Sequence, residues 1–425
     1  VEGAVILLER ALAMREAGSG PDSRLVALTL ANLGDALREA GELDRSRTAL
    51  ERSVAILERG PDRDSRNLFA ALNNLGLVQL QQGESAEAVA TLARAREELE
   101  GARGHGHPQV TTVIANQAVA SALGGQPGLA LGLALEAERV GRSNLQMTAT
   151  GLSERQALLM AAEHQNHLEL ALAIAVEGSV DDPTLIAATW DALVRSRGLV
   201  LEELIARRQR LRAGAGGGAS PLIAHLSDAA QRLSRLLVEG EGPASAAELE
   251  AARTELEAAE RALGEASRPF AIEVQRMRLG LDEVIWSLPP GSALAAYARF
   301  NREAIQSSLR RFEAPEPWYL ALVRSAAGQL ELVPLADAAT IDRLAREWRA
   351  AAGRPSGGEQ AARQAGERLR ELIWDPVSAR VGDAKRVFVV PDGELGLLNL
   401  AALPASPDAF LAEQGPPLAM LAEER

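Results

Sequence analysis

Apolar positions in the first third of the chain recur with two nested periods. The shorter is helical: Leu30, Leu33 and Leu37 fall at i, i+3 and i+7, one face of a helix that Gly41 ends. A second helix is predicted from about Leu43 to Leu57, stopping at Gly60-Pro61. The longer period is 42 residues: Asn32-Leu33-Gly34 returns as Asn74-Leu75-Gly76 and, more weakly, as Asn116-Gln117-Ala118. Gly41, Gly83 and Gly125 keep the same step, as do Leu30, Leu72 and Ile114, and Leu8, Leu50 and Leu92. Ala11, Ser53 and Ala95 agree as well. Each unit therefore reads as a helix pair, and stacked pairs bury a core that no single pair could bury. Small residues at Gly34, Gly76 and Ala118 predict a close approach of the two helices. Residues 4–17 match the second helix of a unit, so the chain is expected to enter partway through a repeat, with Val5, Leu8 and Leu12 partly uncovered.

From Gly151 the long period fades while helical patterning continues. Helix is predicted over 152–177, and from Pro183 to about Arg212, a run of about 45 Å at 1.5 Å per residue. Ala213 to Ser220 reads as a glycine-rich turn. Leu222, Leu226, Leu233 and Leu237 then form one stripe, and Leu249, Leu256 and Leu263 with Ala252 and Ala259 another, as in packed antiparallel helices. The plain reading of this stretch is a structural spacer.

The texture changes at Leu288-Pro289-Pro290-Gly291. Strands are predicted at Ala293–Phe300, Trp318–Arg324 and Gln329–Pro334, the last two joined as a hairpin through Ala326-Ala327-Gly328. Helices follow at about 337–351 and 359–373, then the β-branched run Val387–Val390, stopped by Pro391-Asp392-Gly393. This is the order of an α/β domain beginning near 285. Sites in open α/β sheets form beyond the carboxyl ends of the strands, where this turn lies. With no further strand read from the pattern, Val387–Val390 is expected to be an unpaired edge prone to association.

Composition narrows the chemistry. The chain has 425 residues, enough for two or three domains, with 47% hydrophobic and 24% charged residues. A net charge of −13 argues against nucleic acid or an anionic membrane as the main partner. There is no cysteine, which excludes a disulfide framework, a zinc–thiolate site and a thiol nucleophile within these residues. No apolar run is long enough to span a bilayer, and a cytoplasmic location is expected.

The repeats resemble tetratricopeptide repeats of the longer, 42-residue kind, over roughly residues 4–142. The leucine–glycine pair, the mid-repeat glycine and the small residue after it (Ala88, Ala130; Ser46 in the first) carry the likeness. The order that follows is similar to the bacterial CHAT domain, a caspase-like module associated with such repeats. Its markers here are Leu288-Pro289-Pro290-Gly291-Ser292-Ala293-Leu294, Trp318-Tyr319-Leu320-Ala321-Leu322-Val323, Ala339-Thr340-Ile341-Asp342, Leu372-Ile373-Trp374-Asp375-Pro376-Val377 and Val389-Val390-Pro391-Asp392-Gly393-Glu394-Leu395. Leu398-Asn399-Leu400 departs from the family's leucine–proline–phenylalanine element.

The resemblance implies a mainly α chain: residues 1–150 a repeat α-solenoid, 151–280 a helical spacer with degenerate repeats, and 281–425 the N-terminal part of a caspase-like α/β domain. It also implies, in active members, a His–Cys pair that cleaves proteins, with both residues downstream of Arg425. No histidine follows His225. This chain therefore cannot run that reaction alone, and two readings stay open: a regulated cysteine peptidase when complete, or a non-catalytic interaction scaffold.

Asn32, Asn74 and Asn116 share one position in successive repeats. By analogy with tetratricopeptide grooves they would line the concave face, where an amide's donor and acceptor suit the backbone of a protein or peptide ligand. The structural alternative is that each ties helix to helix inside its own repeat. Asp392, Gly393 and Glu394 could shape a pocket at the sheet end, or Asp392-Gly393 could simply make the turn. His164 and His167, and His105 and His107, have metal-compatible spacing but no nearby ligand cluster, and His107-Pro108 reads as a helix start. No metal, no cofactor and no catalytic residue is assigned.

Overall fold

In the computed structural model the described residues are 1–59, 65–149, 154–197, 220–238, 246–266, 279–307, 317–353, 359–406, 409–410 and 418–420. They form two compact units, Val1–Leu168 with Arg195–Arg278, and Glu169–Val194 with Leu279–Arg425.

The first unit is a series of helix pairs. It runs through α1 (Glu2–Ser19), α2 (Arg24–Glu39), α3 (Leu43–Arg59), α4 (Ser65–Gln81), α5 (Ser85–Arg103), α6 (Pro108–Leu123) and α7 (Pro127–Ala149). The 42-residue glycines end the first helix of each pair, with φ of +79°, +83° and +72° at Gly41, Gly83 and Gly125. The N–H after each glycine reaches back five residues: Glu42 to the Leu37 carbonyl (2.9 Å), Glu84 to Gln79 (2.8 Å) and Gln126 to Ser121 (2.9 Å). The close approach expected at Gly34 and Gly76 is present. A Cβ on Gly34 would stand 2.5 Å from Leu50 Cγ, and one on Gly76 2.6 Å from Leu92 Cγ. Ser46 Oγ donates to the Gly34 carbonyl (2.6 Å) and Ser53 Oγ to that of Ala27 (2.7 Å), closing the same α2–α3 contact.

On α1 the expected partial cover is found at Leu8 and Leu12 and not at Val5. Val5 is buried and Leu8 and Leu12 are half-buried, packed with Leu33 and Leu37 of α2. The uncovered apolar residues are Ile6, Leu7 and Met14, because α1 carries apolar side chains on two sides and α2 covers one. Beyond the repeats, α8 (Glu154–Glu177) passes from the first unit's residues to the second's, and α9 (Pro183–Ser196) follows. Helix ends at Ser196; the rest of the run expected to reach Arg212, and the glycine-rich turn up to Ala219, lie outside the described residues. The two leucine stripes fall on α10 (Ser220–Val238) and α11 (Ala246–Ala266), which share one apolar core that Met147 of α7 joins.

The second unit holds the sheet. Its strands are β1 (Ser292–Asn301), β2 (Pro317–Arg324), β3 (Leu330–Asp337), β4 (Arg386–Val390), β5 (Pro404–Ser406), β6 (Ala409–Phe410) and β7 (Leu418–Met420). The order β3-β2-β1-β4-β7 combines an antiparallel hairpin with parallel β1, β4 and β7, while β5 and β6 pair separately. The expectation that β4 is an unpaired edge is overturned. β1 lies along one side of it, and Leu418, Ala419 and Met420 pair with Val387, Phe388 and Val389 on the other. That short strand follows a non-periodic stretch, which hid it in the pattern.

After α12 (Leu281–Ser287) come α13 (Ala338–Ala352), capped by Asp337 (Oδ1 to Thr340 N, 2.8 Å), and α14 (Glu359–Ile373). Ile341, Leu344, Leu369 and Ile373 of these helices cover the face made by Ala293, Ala295, Tyr297, Tyr319 and Val389. Residues 169–194 belong to this unit through specific contacts. Asp191 Oδ1 accepts the Leu281 N–H (2.9 Å), and Arg302 pairs with Glu177 while stacking over Trp318.

Candidate functional sites on the repeat array and at the sheet end

Two places gather the residues singled out from sequence. The first belongs to the array. The leading helices α2, α4 and α6 pack side by side, α2 on α4 and α4 on α6, so their shared positions form a row. Asn32 is exposed, and Asn74 and Asn116 are half-buried. The amides of Asn32 and Asn74 make no hydrogen bond among the described residues. Asn116 Nδ2 donates to Asn73 Oδ1 (2.8 Å), a bond from one repeat to the one before it rather than inside its own. Asn73 is the residue that repeat reasoning missed. Its equivalents are Ala31 and Ala115, so a polar residue breaking the pattern was the available signal. The rows one and two helical turns before the asparagines carry Leu28, Ala70 and Thr112, and Leu25, Asn67 and Gln109. These six positions hold apolar, hydroxyl and amide side chains, and no cation stands among them.

The second place is the carboxyl end of β4. Asp392 caps the 3-10 turn Gly393–Leu397, its Oδ1 accepting the Gly393 N–H (2.9 Å). Its other oxygen accepts the Arg299 N–H (2.8 Å), continuing β1's ladder past the point where β4 stops. Gly393 adopts φ +56°, and a Cβ there would run into the Tyr319 hydroxyl.

That hydroxyl donates to Asp342 Oδ1 (2.8 Å), and Arg299 Nη2 lies 3.9 Å from the other Asp342 oxygen. Burial, then the carboxylates of Asp342 and Asp392, push the Tyr319 phenol above its ordinary range, so it stays a neutral donor. Tyr297, the chain's other tyrosine, is fully buried and donates to the Ile373 carbonyl (3.0 Å), and burial raises its phenol too. Both carboxylate oxygens of Asp392 are thus occupied by backbone N–H groups. Glu394 differs: its Oε2 is buried without a hydrogen bond, 3.6 Å from Arg349 Nη1. Tyr319, Asp342, Arg299 and Arg349 entered this cluster only through the fold.

The histidines sit elsewhere. His107 caps α6, its Nδ1 accepting the Gln109 N–H (3.2 Å), as its place before Pro108 predicted. His105 Nδ1 meets Glu100 Oε1 (2.8 Å). His167 is described, whereas the His164 side chain lies outside the described residues.

Comparison with known proteins bears on the first place. No curated protein matches the chain. Among the described residues, no helix is long and apolar enough to cross a membrane. Residues 2–59, which hold α1, α2 and α3, match the tetratricopeptide repeat family, whose repeats generally mediate protein–protein interaction.

Proposed function

We propose that the chain works by binding a protein or peptide along the side of the array formed by α2, α4 and α6. The observation that carries this is the asparagine row. Asn32 and Asn74 offer amides that no side chain or backbone group among the described residues engages, one repeat apart on adjacent helices. Each amide presents a donor and an acceptor, the pair an extended backbone needs. The lack of cations in the neighbouring rows favours a main chain over an acidic tail or a terminal carboxylate, which would call for arginine or lysine.

In this reading residues 1–150 are the binding arm, 151–280 a helical spacer and 281–425 a caspase-like region of CHAT type, in the cytoplasm. Support for the last assignment is the mixed sheet, in which a hairpin and two helices precede a buried parallel strand ending at Pro391-Asp392-Gly393. The repeat match supports the interaction role itself, and an interaction scaffold is the reading preferred here. The second reading, a regulated cysteine peptidase acting on proteins, needs a thiol supplied from outside these residues.

The test is selection of displayed random dodecapeptides on the 425-residue chain. Enriched peptides are then measured against the triple variant Asn32→Ala, Asn74→Ala, Asn116→Ala. At least tenfold weaker binding to the triple variant is expected. Equal binding, or no enrichment, removes the row from ligand recognition.

A further inference from the structure

The exposed side of α1 has a counterpart inside the molecule. Shifting by one period places Ala4, Leu7, Leu8, Ala11 and Met14 on Ser46, Ala49, Leu50, Ser53 and Ile56 of α3. All five α3 residues are buried: Ser46, Leu50 and Ser53 at 0% exposure, Ala49 at 8% and Ile56 at 7%. The neighbour over Ser46, Leu50 and Ser53 is α2, with Gly34 on Leu50 and carbonyls receiving both hydroxyls. On α1 the same side is open, with Leu7 at 66% and Met14 at 70%, and Leu8 and Ala11 only half-covered.

We propose that this face of α1 is a docking site for an amphipathic α-helix of the same type as α2. Such a helix places a glycine or alanine over Leu8 and apolar residues on Leu7 and Met14. The face continues an interface already built three times in the array, α2 on α3, α4 on α5 and α6 on α7, so the occupant's chemistry is given by those helices. Ala4 and Ala11 replace the hydroxyls of Ser46 and Ser53, so this contact is apolar, without hydroxyl-to-carbonyl bonds. It is separate from the asparagine row and stands whether or not that row binds peptide.

The probe is a fluorescent peptide of residues 23–41, stapled across Leu28 and Asn32 so that the Gly34 face stays free, titrated into the full chain by anisotropy. Saturable binding is expected. It should weaken at least tenfold in the chain variant Leu7→Glu, Met14→Glu, and at least tenfold again when the peptide carries Gly34→Leu. The chain variant changes exposed side chains only, so its melting temperature should match the parent's and folding is not in question. Absence of saturable binding, or binding indifferent to both changes, overturns the proposal. Self-association of the chain in sedimentation that Leu7→Glu abolishes overturns it too, by giving the face to a second copy.

Discussion

At the scale of single residues, the repeat is held by a trade of volume between two positions. Where the first helix has Gly34 or Gly76, the second presents Leu50 or Leu92 at van der Waals reach. In the third pair the equivalents are Ala118 and Ala134, both fully buried, so the methyl gained on one helix is matched by atoms lost on the other. Gly76→Ala is therefore expected to cost about 1–3 kcal/mol through overpacking. Combined with Leu92→Ala it should cost clearly less than the two single effects summed, because the double variant reproduces the third pair. Urea midpoints of the four proteins decide it, and simple additivity would mean that close approach is not what keeps glycine at position 76. The small residue was legible from the 42-residue step; its partner was not, since Leu50 and Leu92 look like any other core leucine. Asp392 and Gly393 show the same limit. Their turn chemistry is readable in sequence, whereas the bond to Arg299 and the clash avoided with Tyr319 join positions far apart along the chain.

At the scale of elements, α6 carries a pH-dependent start. His107 caps it through Nδ1 while Arg103 Nη1 stands 3.1 Å from the other ring nitrogen. Burial first, then the charges of Arg103 and Arg253, lower the imidazole to about 4. The unfolded chain takes up a proton near pH 6.5 that the folded cap refuses, so the stability tied to a neutral ring is full above that value. It declines as pH falls and is lost by about pH 4, a change on the order of 2–3 kcal/mol. His167, lowered to about 4 by burial alone, adds in the same direction. His107→Asn keeps a capping side chain without a titrating one. Its melting temperature should fall less than the parent's between about pH 7 and pH 4.5, the window set by the two imidazole values, and identical slopes would assign the loss to other groups. The position of the cap was visible from His107-Pro108; the charges around it were not, because Arg253 comes from α11, remote in sequence.

At the scale of the whole molecule, the sheet-bearing unit is discontinuous, taking Glu169–Val194 as well as Leu279–Arg425. Asp191 and Glu177 provide two of the ties, at Leu281 and Arg302. A chain of residues 169–425 with 198–278 replaced by a flexible linker should therefore unfold in one cooperative thermal step. Residues 279–425 alone should melt lower and less cooperatively. Matching melts for the two would show that the sheet does not need the helical segment.

What the sequence by itself determined is what repeats or alternates locally. The helix pairs, their glycine stops, the hairpin, α13, α14 and the β4 strand each follow from a helical, alternating or 42-residue spacing. Tertiary structure alone decided which segment covers which. The partnering of Leu50 with Gly34, the strand at Leu418–Met420 that makes β4 central, the second side of α1 left open and the two-part composition of the sheet unit are long-range choices. They are set by which surfaces meet after the chain has folded back, and no periodicity along the chain records that.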